Sequence, residues 1–203
     1  MRQRYGFGPL DRVVLYAGTF SSYQGLDLLC DAFNIAAAKQ PCMRLLCVGA
    51  GDEQIAAHWH DRIAPALRSR ARFELRVPRQ LMADHLALAA CVISLRPLGE
   101  NLPLKLFDYM ASGKPIIATR GKAHGGLLND QRAFLCDINA QSVASSIEAA
   151  LSDLKLATRV GQQAQEYALR RFRWPRFVQF VEEIYEGVLE VNPGKLAQVA
   201  PGD

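Results

Sequence analysis

Glu100 and Asp108 stand eight positions apart, with Lys105 between them, in the stretch RPLGENLPLKLFDYMASGKPIIAT at residues 96–119. Carboxylates accept hydrogen bonds from hydroxyl groups, and an ammonium beside them can hold an anion. The stretch follows an apolar run, CVISL, and closes on a second, PIIAT; both read as buried strands. Between them Pro103 sits where a helix begins. Leu104, Phe107, Met110 and Ala111 then recur at helical spacing until Ser112 and Gly113 stop it. The unit is therefore strand, loop, helix, strand. Its loop carries Glu100, Asn101 and Lys105, and Asp108 lies two helical turns after Glu100, so both carboxylates can face one crevice. In an open parallel sheet the crevice at the carboxyl ends of the strands is where ligands bind.

The rest of the chain supplies elements to position that unit. VVLYA at residues 13–17 reads as a strand broken at Gly18, and residues 23–39 repeat apolar residues at helical spacing. MRLLCV at 43–48 is a second strand, punctuated by Gly49 and Gly51, after which Asp52 can cap a helix running toward Leu67. RFELRV at 72–77 is a third strand and residues 81–89 a short helix. Beyond Thr119 a polar, glycine-rich loop, RGKAHGGLLNDQ, is a candidate cleft rim. AFLCDI follows as a last strand, and residues 141–151 as an amphipathic helix. Residues 152–189 form two helices separated at RWPRF, and the tail at 190–203 reads as poorly ordered. Strands alternating with helices predict a single doubly wound, Rossmann-like α/β domain over residues 13–189 with a mostly parallel sheet, preceded by a lead-in at 1–12.

Composition narrows the function classes. The 203 residues are 50% hydrophobic and 22% charged, as in an ordinary globular domain, and 24 Lys and Arg against 20 Asp and Glu give a net charge of +4. That balance tolerates anionic ligands and does not argue for nucleic acid. The five cysteines, Cys30, Cys42, Cys47, Cys91 and Cys136, lack any CxxC pair and lie mostly in apolar runs, which reads as reduced core thiols in a cytoplasmic protein. No run is long and apolar enough to span a membrane, and the first residues lack the apolar block of a signal peptide; any membrane contact is expected to be peripheral.

Several chemistries are discounted. AGTFSSYQG after the first strand is not the GxGxxG of dinucleotide-binding proteins, and GxxxxGK[ST] does not occur. His58 and His60 in HWH point apart on a helix, which disfavours zinc. Ser94 and Ser112 show no nearby His and Asp arrangement and are read as structural.

Four segments in this order and spacing, VVLYAGTFSSYQGLDLLCDAF, LLCVGAGDE, RFELRVPRQLMADHLALAACVISLRP and ENLPLKLFDYMASGKPIIAT, resemble the C-terminal, nucleotide-sugar-binding half of GT-B glycosyltransferases of the group 1, GT4-like, type. The resemblance runs from about Arg4 to Leu189. It implies a donor-binding domain of a retaining glycosyltransferase whose ligand is a nucleotide diphosphate sugar, with no metal cofactor. It implies that Glu100 is the catalytic-site carboxylate near the donor sugar hydroxyls, and that Asp108, where relatives usually carry Glu, accepts from the ribose. It further implies that amides near Asn101, Leu102, Leu104 and Lys105 face the diphosphate with the Lys105 charge beside them, and that Gly18 and Gln24 belong to the same site. Base contact is placed at Arg76 and Val77.

The sequence also departs from that pattern. Most relatives carry an Arg and a Lys where Thr19 and Gln24 stand, so the diphosphate must lean on Lys105, Arg96 and helix amides. The resemblance covers only a donor half. It implies an N-terminal acceptor domain on another chain or upstream, without which the chain is expected to bind donor but hardly catalyse. The alternative is a truncated, non-catalytic nucleotide-binding or interaction module. The face carrying Phe177, Phe180 and Tyr185 is expected to be under-covered and to drive homo-oligomerisation through the C-terminal helix.

Overall fold

The computed structural model describes residues 1–191, with side chains to residue 188. Six parallel strands, β1 (Arg12–Thr19), β2 (Met43–Ala50), β3 (Ala71–Leu75), β4 (Cys91–Ser94), β5 (Ile116–Thr119) and β6 (Phe134–Cys136), form one sheet in the order β3-β2-β1-β4-β5-β6. The doubly wound α/β fold expected from the alternation of elements is present. The strand order reverses between β1 and β4, which makes the gap at their carboxyl ends the switch point of the sheet.

The helices are α1 (Arg2–Tyr5), α2 (Leu26–Lys39), α3 (Glu53–Asp61), α4 (Met82–Leu88), α5 (Lys105–Ala111), α6 (Lys122–Gly125), α7 (Ala140–Ser152), α8 (Leu154–Arg171) and α9 (Trp174–Val191). Because side chains alternate along a strand, β1 sends Val14 and Tyr16 into one layer and Val13, Leu15 and Ala17 into the other. The first layer holds α2 and α7, with Leu29, Phe33, Val143 and Ile147 fully buried. The second holds α5 and α8, with Leu106, Met110 and Ala164 fully buried. In that layer α8 approaches the end of α5 closely at Gly161, where a Cβ would lie 2.2 Å from the Gly113 carbonyl oxygen.

The boundaries differ from those read in the sequence where local chemistry intervenes. Asp52 caps α3 as expected, its Oδ1 accepting from the Ile55 amide at 2.8 Å, but α3 stops at Asp61 and a 3-10 turn covers Pro65–Arg70. Pro65, with no amide hydrogen, does not extend the helix toward Leu67. The segment before α2 is a 3-10 turn, Ser22–Gln24, and the helix starts only after Gly25, whose φ of 73° is open to glycine. The lead-in packs on the body: Tyr5 and Phe7 are buried, and Asp11 accepts from the Gly8 amide and pairs with Arg44 at 2.9 Å. Among the cysteines Cys30, Cys47, Cys91 and Cys136 are buried as free thiols, while Cys42 is exposed, contrary to a uniformly buried set; it lies in the turn between α2 and β2. The tail expected at 190–203 lies, beyond Val191, outside the described residues.

Candidate functional site

At the switch point β1 and β4 pair only through Val14 with Cys91 and Leu15 with Val92; beyond Leu15 they diverge. The Ala17 amide therefore has no strand partner on that side and donates instead to the Tyr109 hydroxyl at 2.7 Å. Tyr109 belongs to α5 and is fully buried, so this bond docks α5, which also carries Lys105 and Asp108, against the end of β1. A buried amide without a partner is costly, which explains a tyrosine among apolar neighbours.

Lys105 points back over β1. Its Nζ lies 4.0 Å from the centre of the Tyr16 ring and donates to Gln24 Oε1 at 3.1 Å. The Tyr16 hydroxyl is itself committed to the Thr19 carbonyl at 2.6 Å. A Cβ on Gly18 would come within 3.1 Å of the ammonium, so the glycine leaves it room. Among the described residues no carboxylate pairs with this cation: burial, and then the nearby Arg96 guanidinium, push the Lys105 pKa down to about 7, against the opposing influence of the Cys47 thiol. Arg96 lies with its guanidinium 4.9 Å from the Tyr23 ring, and its Nε is buried without a hydrogen-bond partner among the described residues.

An open cavity of about 430 Å³ lies beside these groups, lined by Gly18, Arg79, Leu104, Lys105, Asp108 and Tyr109 among others. Of the residues singled out in the sequence, Gly18, Leu104, Lys105 and Asp108 thus meet at one wall, and Gln24 joins them through Lys105. Asn101 and Leu102 are exposed in the loop before α5, outside that lining. Glu100 is exposed too, and its Oε1 accepts from Lys122 Nζ of α6 at 2.7 Å. That bond joins the loop after β4 to the glycine-rich segment after β5. Arg76 lies past the end of β3 in a left-handed conformation, φ 56°, with its amide on the Gly49 carbonyl and its side chain exposed. Gly49 itself pairs with Gly18, and any Cβ there would strike the Gly18 carbonyl at 1.7 Å.

Ser94 makes one contact that the sequence reading did not anticipate while remaining structural. Ser94 does have a histidine partner: its Oγ is 3.2 Å from His124 Nε2, and His124 Nδ1 lies 2.8 Å from the Thr119 carbonyl. Thirty positions separate the two residues, and they meet because β4 and β5 are neighbours and α6 follows β5 at once. Both are fully enclosed, at 0% and 1% exposure, and a carbonyl occupies the place of a carboxylate. The pair anchors α6, and burial lowers the His124 pKa. Thr119 Oγ1 meanwhile accepts from the Arg96 amide at 3.0 Å, so the ends of β4, β5 and α6 are tied into one rim. His58 and His60 diverge as expected, one edge-on to Trp59 and the other to Phe73. Among the described residues no three His, Cys, Asp or Glu side chains gather as a metal set, and no helix is long and apolar enough to cross a membrane.

The profile of the family described as Glycosyl transferases group 1 matches residues 11–153, which spans the sheet and every group just described. The chain belongs to the group 1 glycosyltransferases. Within that family it is 28% identical over 199 residues to mannosylfructose-phosphate synthase of Agrobacterium fabrum, covering 92% of this chain and 42% of that protein. It is 24% identical to N-acetyl-alpha-D-glucosaminyl L-malate synthase of Bacillus anthracis, covering 93% of this chain and 49% of the relative. This group 1 chain thus spans about half the length of the curated relatives it matches. HepE of Anabaena, solved in complex with UDP and glucose, superposes with a TM-score of 0.80 at 22% identity, over 92% of this chain and 51% of HepE. A structure of the C-terminal domain of a group 1 glycosyl transferase from Francisella tularensis gives a TM-score of 0.67 at 14% identity and is 91% covered. The fold is that of the C-terminal half of a GT-B glycosyltransferase.

Proposed function

We propose that the chain is the donor half of a retaining, metal-independent glycosyltransferase. It binds a nucleotide diphosphate sugar at the switch point and presents the sugar to an acceptor held by an N-terminal domain. The observation that carries this reading is the Lys105 ammonium, fixed between Gln24 and the Tyr16 ring at the end of β1 with no carboxylate paired to it among the described residues. A diphosphate supplies the missing counter-charge, and the partnerless Nε of Arg96 is a second donor on the same side. In the transition state negative charge builds on the leaving diphosphate, where a fixed cation in a part-enclosed site stabilises it most. Asp108, on the wall of the cavity, accepts from ribose hydroxyls, and Glu100, once released from Lys122, accepts from the sugar. UDP and UDP-glucose in HepE, which shares this fold, support the ligand class.

Isothermal titration with UDP-, GDP- and ADP-sugars tests the proposal. Weak binding is expected with at least one of them, abolished by Glu100→Ala and by Lys105→Ala. The uncharged Thr19 and Gln24 favour the second reading, a non-catalytic interaction module. No heat with any nucleotide sugar selects it.

A further inference from the structure

We propose that Lys122 is a further diphosphate-binding cation of the site, handed over from Glu100 when a nucleotide sugar arrives. The inference rests on the donor-binding reading just proposed and adds to it the segment RGKAHGG after β5, at residues 120–126. The loop after β1 brings no charge of its own at Thr19 and Gln24, so any cation beyond Lys105 and Arg96 has to come from another strand end. The helix α6 is fixed beside those two. Its buried His124 meets Ser94 Oγ at the end of β4 and the Thr119 carbonyl at the end of β5, and Thr119 Oγ1 holds the Arg96 amide. Burial chiefly lowers the His124 pKa, and the Lys105 and Arg96 charges add to it, which sets α6 within the field of both cations.

The other cations near this rim are committed. Arg120 donates to Asp130 at 2.8 Å, and the Arg132 guanidinium lies 3.9 Å from the centre of the Tyr167 ring. Lys122 meets only Glu100 Oε1 among the described residues, and 79% of its side chain is exposed. Its backbone is anchored through His124 while its four-carbon stem is free, so the ammonium can swing without moving α6. Sugar hydroxyls that take over Glu100 are neutral. They leave the ammonium without a counter-ion at the moment a doubly negative diphosphate settles against Lys105 and Arg96. Lys122 then closes on that diphosphate from the β5 side. Magnitudes favour the exchange: breaking an exposed ion pair forfeits a factor of at most about five, whereas a charge-assisted bond to a phosphate oxygen contributes about tenfold to a hundredfold.

The test is calorimetric titration of the 203-residue chain with UDP-glucose, GDP-mannose and ADP-glucose at low and at high salt. Whichever of these binds the wild type should bind Lys122→Ala more weakly by about threefold or more, with about tenfold the central expectation. The same variant should lose less affinity than the wild type when salt is added, because one screened attraction is gone. Lys122→Arg should restore most of the binding, since it returns a cation that phosphate accepts. All of these changes lie at an exposed position and leave the fold intact. If no nucleotide sugar binds the wild-type chain, the donor-site reading falls and takes this inference with it. If one binds and Lys122→Ala loses less than about threefold, or binds more tightly, Lys122 is only a surface partner of Glu100 and this inference alone is overturned. Lys122→Arg as weak as Lys122→Ala overturns it too, because charge is then not what the position supplies.

Discussion

If Lys105 is the cation that meets the diphosphate, donor affinity must fall as pH rises through neutrality. In the unliganded protein burial and Arg96 bring its pKa down to about 7. The charged fraction is then about three quarters at pH 6.5 and about 3% at pH 8.5, and the apparent dissociation constant scales inversely with that fraction. Affinity should drop roughly 25-fold over those two pH units, equivalent to about 2 kcal/mol, provided the bound anion keeps the ammonium protonated. A nucleotide sugar suits the assay because each of its phosphates carries one ester and the shared anhydride bond, leaving only a strongly acidic hydroxyl, so neither titrates in that window. Calorimetry at pH 8.5 in buffers of different ionisation enthalpy should in addition show uptake of nearly one proton per ligand bound. Lys105→Met should show neither binding nor proton uptake at any pH in that window. Wild-type affinity constant between pH 6.5 and 8.5 would refute the reasoning, since a lysine poised as described must be charged by its ligand.

Other outcomes follow from single contacts. Tyr109→Phe removes the acceptor for the buried Ala17 amide and should cost about 1–3 kcal/mol in urea unfolding, with donor binding weakened because α5 is no longer tied to β1. Gly161→Ala places a Cβ 2.2 Å from the Gly113 carbonyl oxygen, so α5 and α8 must part; loss of about 2 kcal/mol or more is expected in the same measurement. His124 is buried with its pKa below the usual 6.5, so the unfolded chain binds the proton more readily. Its contribution is complete above pH 6.5 and is lost as pH falls toward the lower folded value; His124→Gln should flatten stability against pH in that acid range. Lys122→Ala breaks an exposed ion pair with Glu100, and a melting curve should register a change of about 0–1 kcal/mol.

The sheet and its covering helices were legible because burial imposes the period. VVLYA and MRLLCV are continuous apolar runs that a strand covered on both faces requires, and the 3.6-residue recurrences locate α2, α5, α7 and α8. The helix α6 was hidden in RGKAHGG because four residues are too few to show a period and their glycines signal a loop. Lys105 and Asp108, on one local unit, could be read from spacing, and Leu104 from the family resemblance. What the spacing did not carry was the direction in which Lys105 turns, toward Gln24 and Tyr16, since that depends on Gly18 leaving room on a strand far away in sequence. The Ser94 and His124 contact was missed for the same reason: strand order, not sequence distance, makes them neighbours.

The bond between Tyr109 and Ala17 gives the molecule a built-in reporter. In most sheets a strand amide exchanges with solvent deuterium only when the ladder opens, so its rate measures the stability of the sheet. The Ala17 amide is held by a helix instead. Its exchange rate reads how often α5 lifts from β1 beside the cavity, and a nucleotide sugar bound as proposed should slow that one amide while leaving Val14 and Leu15, paired between strands, unchanged.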